Sequence, residues 1–308
     1  MLLLGGNGQV GHELRRSLAP LGELVVATRD GVLADGSPCE RADFDHPGTL
    51  PALVARIGPD AVVNAAAYTA VDRAEDERDA AFRANADAPR ALAEACARRD
   101  ALLLHYSTDY VFDGKGTRPY REDDATAPIG VYGASKRAGE IAIAGSGCRH
   151  LILRTAWVYA AHGHNFLRTM LRLGAERDEL RVVADQTGTP TPAGLIADVS
   201  ATVLQQLLRG LNGERPHAQP GGIRHLTADG HTTWHGFAEA INDRAHAIGL
   251  LPRRPRVVPI ATADYPTRAA RPAYSVLDTG MLRRDFGIEL PDWRQELERV
   301  VGGSRNDR

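Results

Sequence analysis

The chain lacks the features that mark membrane, secreted or nucleic-acid-binding proteins. Its 308 residues include only three cysteines, which show no metal-ligand spacing, and its formal net charge is −2. Such a balance gives no electrostatic attraction for nucleic acid or for an anionic membrane surface. No apolar run reaches the length of a membrane-spanning helix, and we expect no signal peptide, since the first residues lack its basic region and cleavage site. We expect a cytoplasmic protein that binds neither nucleic acid nor membrane.

Lysine is the scarcest charged residue, with only Lys115 and Lys136 against thirty-five arginines. Lys136 follows Tyr132 by four residues in a predicted helix over 131–143, so both side chains lie on one helix face. A fixed cation beside a phenol favours the phenolate and lowers the tyrosine pKa, which suits proton donation to a carbonyl oxygen. The alternative is a buried tyrosine followed by a surface lysine that pairs with Glu140.

A glycine-rich turn joins the first predicted strand, 1–4, to a predicted helix over 9–18. Glycines at every third position let backbone N–H groups approach a pyrophosphate at a helix N-terminus. The order strand, glycines, helix and second strand (24–27) favours dinucleotide binding over a turn that binds nothing. The residues expected at the pyrophosphate are Gly5, Gly8, Gln9 and Val10.

The end of the second strand bears on the choice of cofactor. Arg29 suits the 2′-phosphate of NADPH, whereas the adjacent Asp30 would suit the ribose hydroxyl of NADH. We expect NADPH, with NADH as the alternative. Asp43 and Phe44 are expected to flank the adenine; otherwise they are a solvent-facing acid and a core aromatic.

Two further apolar segments, 61–64 and 101–105, read as buried parallel strands that end in candidate site residues. Ala65, Ala66 and Ala67 leave room for a flat cofactor at the carboxyl end of the first. Thr108 follows the second, where its hydroxyl can bond the carbonyl oxygen that Tyr132 would protonate. The predicted fold is α/β: a Rossmann-like, doubly wound parallel sheet with helices on both faces.

Several longer motifs show a family resemblance over almost the whole length. The chain resembles the dTDP-4-dehydrorhamnose reductase family of extended short-chain dehydrogenases/reductases. The motifs are Gly-Gly-Asn-Gly-Gln-Val-Gly (5–11), Asn-Ala-Ala-Ala-Tyr-Thr-Ala-Val-Asp (64–72), Ser-Thr-Asp-Tyr-Val-Phe-Asp-Gly (107–114), Tyr-Gly-x-Ser-Lys (132–136), Arg-Thr-Ala-Trp-Val-Tyr (154–159), Asp-Gln-x-Gly-x-Pro-Thr (185–191) and Arg-Pro-x-Tyr-Ser-x-Leu-Asp (271–278).

The resemblance implies NADPH-dependent reduction of the C4 ketone of dTDP-4-dehydro-β-L-rhamnose to dTDP-β-L-rhamnose. Tyr132 would donate the proton, Lys136 would hold the nicotinamide ribose, and Thr108 would orient the ketone. Residues 1–155 with about 193–228 would form the cofactor domain, and about 156–192 with 229–308 an interleaved substrate lobe. The residues expected at the nucleotide sugar are Thr69, Val71, Asn85, Thr108, Asp109, Trp157 and Asn165.

Metal binding and assembly are less defined. Some members of the family dimerise through a magnesium ion held by glutamates. Glu13 matches one such position, but Gly194 stands at another, so the resemblance implies a homodimer and leaves its magnesium link open. His162 and His164 have no obvious third ligand, and we expect them to be solvated rather than metal-bound.

Two other functions share parts of this pattern. A sugar-nucleotide epimerase or dehydratase uses the same fold and Tyr–Lys pair with tightly held NAD. A non-catalytic regulatory subunit, similar to the partner of methionine adenosyltransferase, would have no need of a proton donor. The presence of Thr108, Tyr132 and Lys136 together argues against the second.

Overall fold

A computed structural model describes residues 1–211 and 221–303 of the chain. The strands are β1 (Leu2–Leu4), β2 (Val25–Thr28), β3 (Glu40–Arg41), β4 (Ala61–Asn64), β5 (Leu102–Thr108), β6 (His150–Thr155), β7 (Val158–Tyr159), β8 (Glu179–Val183), β9 (Thr187–Gly188), β10 (Thr191–Pro192), β11 (Ile223–His225), β12 (Thr232–Thr233) and β13 (Arg256–Ile260). The α-helices are α1 (Gln9–Leu18), α2 (Leu50–Ile57), α3 (Val71–Ala74), α4 (Arg78–Phe82), α5 (Ala88–Arg99), α6 (Val131–Ala144), α7 (Phe166–Glu176), α8 (Ala193–Leu211), α9 (Trp234–Ala247), α10 (Gly280–Phe286) and α11 (Trp293–Gly303).

Seven strands form one parallel sheet in the order β11-β6-β5-β4-β1-β2-β3. The strand order reverses between β1 and β4, which creates a crevice at their carboxyl ends where such sheets bind ligands. The predicted doubly wound α/β fold is therefore confirmed.

Alternate residues of each central strand enter different hydrophobic layers, because side chains alternate across a sheet. Leu3 packs with α1 and α8 on one face, whereas Leu2 and Leu4 pack with α2, α5 and α6 on the other. This double burial explains why β1 and β4 are almost purely apolar in sequence.

A third apolar cluster forms a smaller lobe around α7, α9 and α11, with Tyr159, Phe237 and Trp293 at its centre. Here β8 pairs with β13, although residues 252–272 are rich in proline and arginine and show little hydrophobic periodicity. Helix α10 lies in the range predicted for the substrate lobe, yet Leu282 and Phe286 pack into the core of the large sheet.

The helical segment from Arg78 to Arg99 contains a π turn, Arg83–Asp87, between α4 and α5. The turn presents Asn85 to the loop after β4, where its amide bonds both the N–H and the C=O of Tyr68. Helix α6 approaches this turn closely at Gly139, where any side chain would collide with the backbone oxygen of Asn85.

A buried ion pair joins α6 to β6. Arg154 Nε and Nη2 each lie 2.8 Å from an oxygen of Glu140, and both residues are 1% exposed. The guanidinium also lies 5.0 Å over the ring of Phe112. This bidentate pair fixes the helix that carries Tyr132 and Lys136 against the sheet.

We expect Glu140→Gln to lower the free energy of unfolding by about 3–5 kcal/mol, because it leaves the Arg154 guanidinium buried without a counter-charge. Urea denaturation measures the change. Arg172→Ala, which breaks the exposed Arg172–Glu176 pair, is the control. It should lower the free energy of unfolding by less than about 1 kcal/mol. Equal effects of the two substitutions would show that the buried pair does not hold α6.

Candidate functional site

A cavity of about 790 Å³ opens at the carboxyl ends of the central strands and extends to the smaller lobe. Its size is within the range of cofactor and ligand sites. The predicted site residues that line it are Gly5, Gly8, Gln9, Val10, Arg29, Phe44, Ala65, Ala66, Ala67, Thr69, Val71, Thr108, Asp109, Tyr132, Lys136 and Trp157.

The glycine turn forms one wall of this cavity. Gly5 has φ +85°, and a β-carbon there would lie 2.7 Å from the backbone nitrogen of Ala66. Both the left-handed conformation and the close approach require glycine. Helix α1 begins directly afterwards at Gln9, so its first N–H groups, which have no partner within the helix, are available to a pyrophosphate.

The far end of the cavity contains both residue types that could select the cofactor. Arg29 and Asp30 follow β2 and are exposed along the cavity edge, with Phe44 buried beside them. Asp43 does not line the cavity, although the sequence predicts it beside the adenine. Its carboxylate turns instead to His46 Nδ1 at 3.1 Å and Arg41 Nη2 at 3.4 Å.

Three polar side chains form a hydrogen-bonded chain at the centre of the cavity. The hydroxyl of Thr108 donates to Asp109 Oδ1 at 2.9 Å, and Tyr132 is hydrogen-bonded to the same threonine. The same threonine lowers the tyrosine pKa, as a donor to the phenol oxygen does, so its single hydroxyl proton is shared between Asp109 and Tyr132. Thr108 therefore orients the hydroxyl of Tyr132, and it could donate to a ketone only by leaving Asp109.

The pKa of Tyr132 differs from the sequence-based prediction. Burial raises this pKa above its ordinary value, and the hydrogen bond from Thr108 only partly offsets the rise. The predicted lowering by Lys136 is not seen, because the ammonium faces the strand. In this arrangement Tyr132 is a protonated donor throughout the physiological pH range.

Lys136 is buried, with 2% of its surface exposed. Its Nζ donates to the carbonyl oxygen of Tyr106 at 2.6 Å. Burial lowers its pKa to about 8, against the opposing charge of Glu140. The alternative of a surface lysine paired with Glu140 is wrong, since Glu140 binds Arg154 and both lysine and carboxylate are enclosed.

Trp157 forms an apolar wall where the cavity meets the smaller lobe. Its ring stacks on Trp234, with centroids 3.5 Å apart and an interplanar angle of 4°. Its backbone adopts φ +47°, which is rare outside glycine, and Gly188 leaves space for the indole. Trp234 is a cavity residue that the sequence analysis missed, because no local motif marks it.

Two residues predicted at the substrate lie outside the cavity lining. Asn85 is 1% exposed and is engaged by Tyr68 and by Ser135 Oγ at 3.0 Å. Asn165 caps α7 through the N–H of Arg168 and donates to Gln9 Oε1 at 2.7 Å. Both asparagines fix loops that border the cavity. Their polar groups are occupied by the protein itself.

Other cavity residues had only weak sequence signals. Asn64 ends one predicted strand and Tyr106 directly follows the other, and their side chains could not be assigned to a face from an apolar run. His164, expected to be solvated, lines the cavity. His162 instead lies 2.9 Å from Glu13.

The surroundings of Glu13 do not fit magnesium. Among the described residues, the donors that converge there are His12, Glu13 and His162, whose ligand atoms lie within 4.8 Å of one another. Gly194 is adjacent, since its β-carbon would lie 3.9 Å from Glu13 Oε2, but it supplies no carboxylate. Magnesium prefers oxygen ligands in octahedral geometry, and two imidazoles do not provide them.

Comparison with known proteins gives a consistent result. Residues 1–305 match the family described as RmlD substrate binding domain. The dTDP-4-dehydrorhamnose reductase of Burkholderia thailandensis is 50% identical over 96% of this chain and 95% of its own length. That of Shigella flexneri is 43% identical over 98% of this chain and 96% of its own.

A solved structure agrees with both sequence relatives. The Bacillus anthracis dTDP-4-dehydrorhamnose reductase in complex with NADP superposes with a TM-score of 0.85 and 34% identity, covering 98% of each chain. Among the described residues, no helix combines the length and apolar character needed to cross a membrane. The chain belongs to the dTDP-4-dehydrorhamnose reductase family of extended short-chain dehydrogenases/reductases.

Proposed function

We propose that the protein reduces the C4 ketone of dTDP-4-dehydro-β-L-rhamnose to dTDP-β-L-rhamnose with NADPH. The observation that carries the proposal is Tyr132, half-buried and hydrogen-bonded to Thr108, inside the cavity at the strand-order reversal. The relatives at 50% and 43% identity are named dTDP-4-dehydrorhamnose reductases. Three free cysteines, Cys39, Cys96 and Cys148, are compatible with a reducing, cytoplasmic location.

The residues of the cavity fit NADPH. The glycine turn offers N–H groups to the pyrophosphate, the alanines after β4 leave a flat surface, and Arg29 lies at the cavity edge for a 2′-phosphate. The Bacillus anthracis relative was solved with NADP. When bound, the nicotinamide supplies hydride to the ketone carbon, and the protein supplies position and electrostatics.

Each polar residue of the site then has a separate role. Tyr132 donates its proton to the carbonyl oxygen as negative charge develops there. Thr108, fixed by Asp109, holds the tyrosine hydroxyl in the direction of the substrate. Lys136 holds the nicotinamide ribose. The Trp157–Trp234 stack supplies an apolar surface beside the deoxysugar and excludes water from the reacting bond.

The direct test is NADPH oxidation, followed by absorbance, with a panel of 4-keto sugar nucleotides. We expect the highest kcat/KM with dTDP-4-dehydro-β-L-rhamnose. A preference for another keto sugar would reassign the substrate. NAD that co-purifies and does not exchange would instead indicate an epimerase or dehydratase.

We expect Tyr132→Phe to reduce kcat by about 10²–10⁴-fold, the usual contribution of general acid catalysis, with little change in NADPH affinity. Tyr159→Phe is the matched control, because it removes a tyrosine hydroxyl that lies outside the cavity lining and has no hydrogen-bond partner among the described residues. A phenylalanine variant at position 132 that retains the parent rate within a few-fold would refute the assigned acid.

We expect Arg29→Ala to weaken NADPH binding by roughly 1.5–3 kcal/mol, the usual strength of a hydrogen bond to a charged group, and to leave NADH binding nearly unchanged. Arg41→Ala provides the comparison, since Arg41 ends the next strand and already pairs with Asp43. Equal losses for NADPH and NADH in the Arg29 variant would show that Arg29 does not read the 2′-phosphate.

A further inference from the structure

Three buried polar side chains form a line beneath the cavity, from the end of β4 through β5 to α6. Asn64 and His105 are 1% exposed and Lys136 is 2% exposed. Asn64 Nδ2 lies 3.0 Å from His105 Nδ1, and His105 Nε2 lies 3.4 Å from Lys136 Nζ. The proposed chemistry assigns no role to His105.

The backbone fixes the direction of the asparagine amide. Its Oδ1 accepts the N–H of Ala66 at 3.1 Å, so its NH₂ group is the part that faces His105. An NH₂ group only donates, and therefore Nδ1 of His105 must accept. A neutral imidazole with Nδ1 as the acceptor has its hydrogen on Nε2.

This tautomer places a donor opposite Lys136. An ammonium has three donors and no acceptor, so the charged lysine faces the imidazole N–H unfavourably, whereas a neutral amine can accept it. The carbonyl of Tyr106 accepts an N–H from either form. The contact with His105 therefore distinguishes the two protonation states of the lysine.

We propose that Asn64 and His105 form a positioning pair that holds Lys136 between amine and ammonium by presenting an N–H group to it. The ammonium is then favoured once an acceptor, such as a ribose hydroxyl of the cofactor, reaches the lysine. The inference deepens the role of Lys136 in the proposed function.

The other charged and titratable groups around Lys136 do not provide this control. On its own helix, Glu140 acts in the opposite direction by favouring the ammonium, and Tyr132 stays protonated. On β6, Arg154 is paired with Glu140. On β5, burial and the lysine charge lower the pKa of His105 well below its ordinary value, so the imidazole is neutral wherever Lys136 titrates.

Asn64→Asp reverses the proposed arrangement with a side chain of the same shape. One carboxylate oxygen can still accept the Ala66 N–H, and the other accepts a hydrogen from Nδ1 of His105. The imidazole proton then moves from Nε2 to Nδ1, and Nε2 becomes an acceptor for the ammonium. We expect the titration midpoint of Lys136 to rise by about one pH unit or more.

The scarcity of lysine makes this midpoint directly measurable by NMR. Protein labelled with ¹³C at lysine Cε contains two lysines, Lys115 and Lys136, and Lys136→Arg identifies the second signal. Lys115 is exposed and is the internal control, whose titration should be the same in parent and variant. An unchanged or lower midpoint for Lys136 in Asn64→Asp would overturn the proposal.

A second experiment tests whether Asn64→Asp acts through the imidazole of His105 or directly through its own negative charge. In a His105→Leu background, which has no group to relay the change, Asn64→Asp should raise the Lys136 midpoint by clearly less than it does with His105 present, whereas an equal rise there would mean that the carboxylate acts directly and that the proposal is wrong. Another check uses the parent protein, so it does not require that a variant at position 64 folds correctly. Its ¹⁵N histidine spectrum should show His105 as the neutral Nε2–H tautomer, and an Nδ1–H tautomer would contradict the inference.

These measurements use the ligand-free protein and no sugar substrate. A protein that shows the expected lysine titration yet reduces no keto sugar would refute the proposed function alone. A protein that reduces the sugar with an unshifted Lys136 in Asn64→Asp would refute the positioning pair alone.

Discussion

The structure depends on the burial of Lys136, although removing its charged ammonium group from water costs free energy. Lys136 lies between α6 and β5, with its Nζ 2.6 Å from the carbonyl oxygen of Tyr106. Removing an ammonium from water disfavours the charged form, and its pKa of about 8 reflects that cost. A group that titrates so close to neutrality responds to small changes in its surroundings, which suits the proposed role of Lys136 beside a cofactor and a proton donor.

Much of the surrounding packing keeps α6 close to the sheet. Gly133 and Gly139 remove side chains where the backbones of Tyr110 and Asn85 approach, and the π turn at Arg83–Asp87 shapes the opposing helix. The Glu140–Arg154 pair, fully enclosed, then fixes α6 to β6. Without this approach, Tyr132 and Lys136 would lie nearer to solvent and would not share the cavity with the glycine turn.

The sequence predicts the large sheet well, because its strands are short apolar runs and its first turn contains glycines where a side chain would not fit. It predicts the smaller lobe less well. Strand β13 contains Pro259 and alternates weakly, and it is a strand because β8 pairs with it. Trp234 reaches the cavity only through its stack on Trp157, a contact between segments far apart in the chain.

The site residues likewise fall into two groups: those whose position the local sequence predicts and those whose position depends on tertiary contacts. The turn residues and the Tyr–Lys pair line the cavity, because backbone position alone places them there. Asp43, Asn85 and Asn165 do not, since each finds partners within the protein that the sequence could not reveal. The pKa of Tyr132 was predicted in the wrong direction for a related reason: spacing places the cation on the same face, but burial and the Tyr106 carbonyl determine its effect.

We propose that reduction of the keto sugar requires the compact amino group of a buried lysine at position 136. The most direct measurement is the steady-state rate of NADPH oxidation by Lys136→Arg with dTDP-4-dehydro-β-L-rhamnose. The planar guanidinium keeps the charge but cannot occupy the space of an ammonium between β5 and a ribose. We therefore expect both a lower kcat and a higher KM for NADPH, and full activity of the arginine variant would contradict the account.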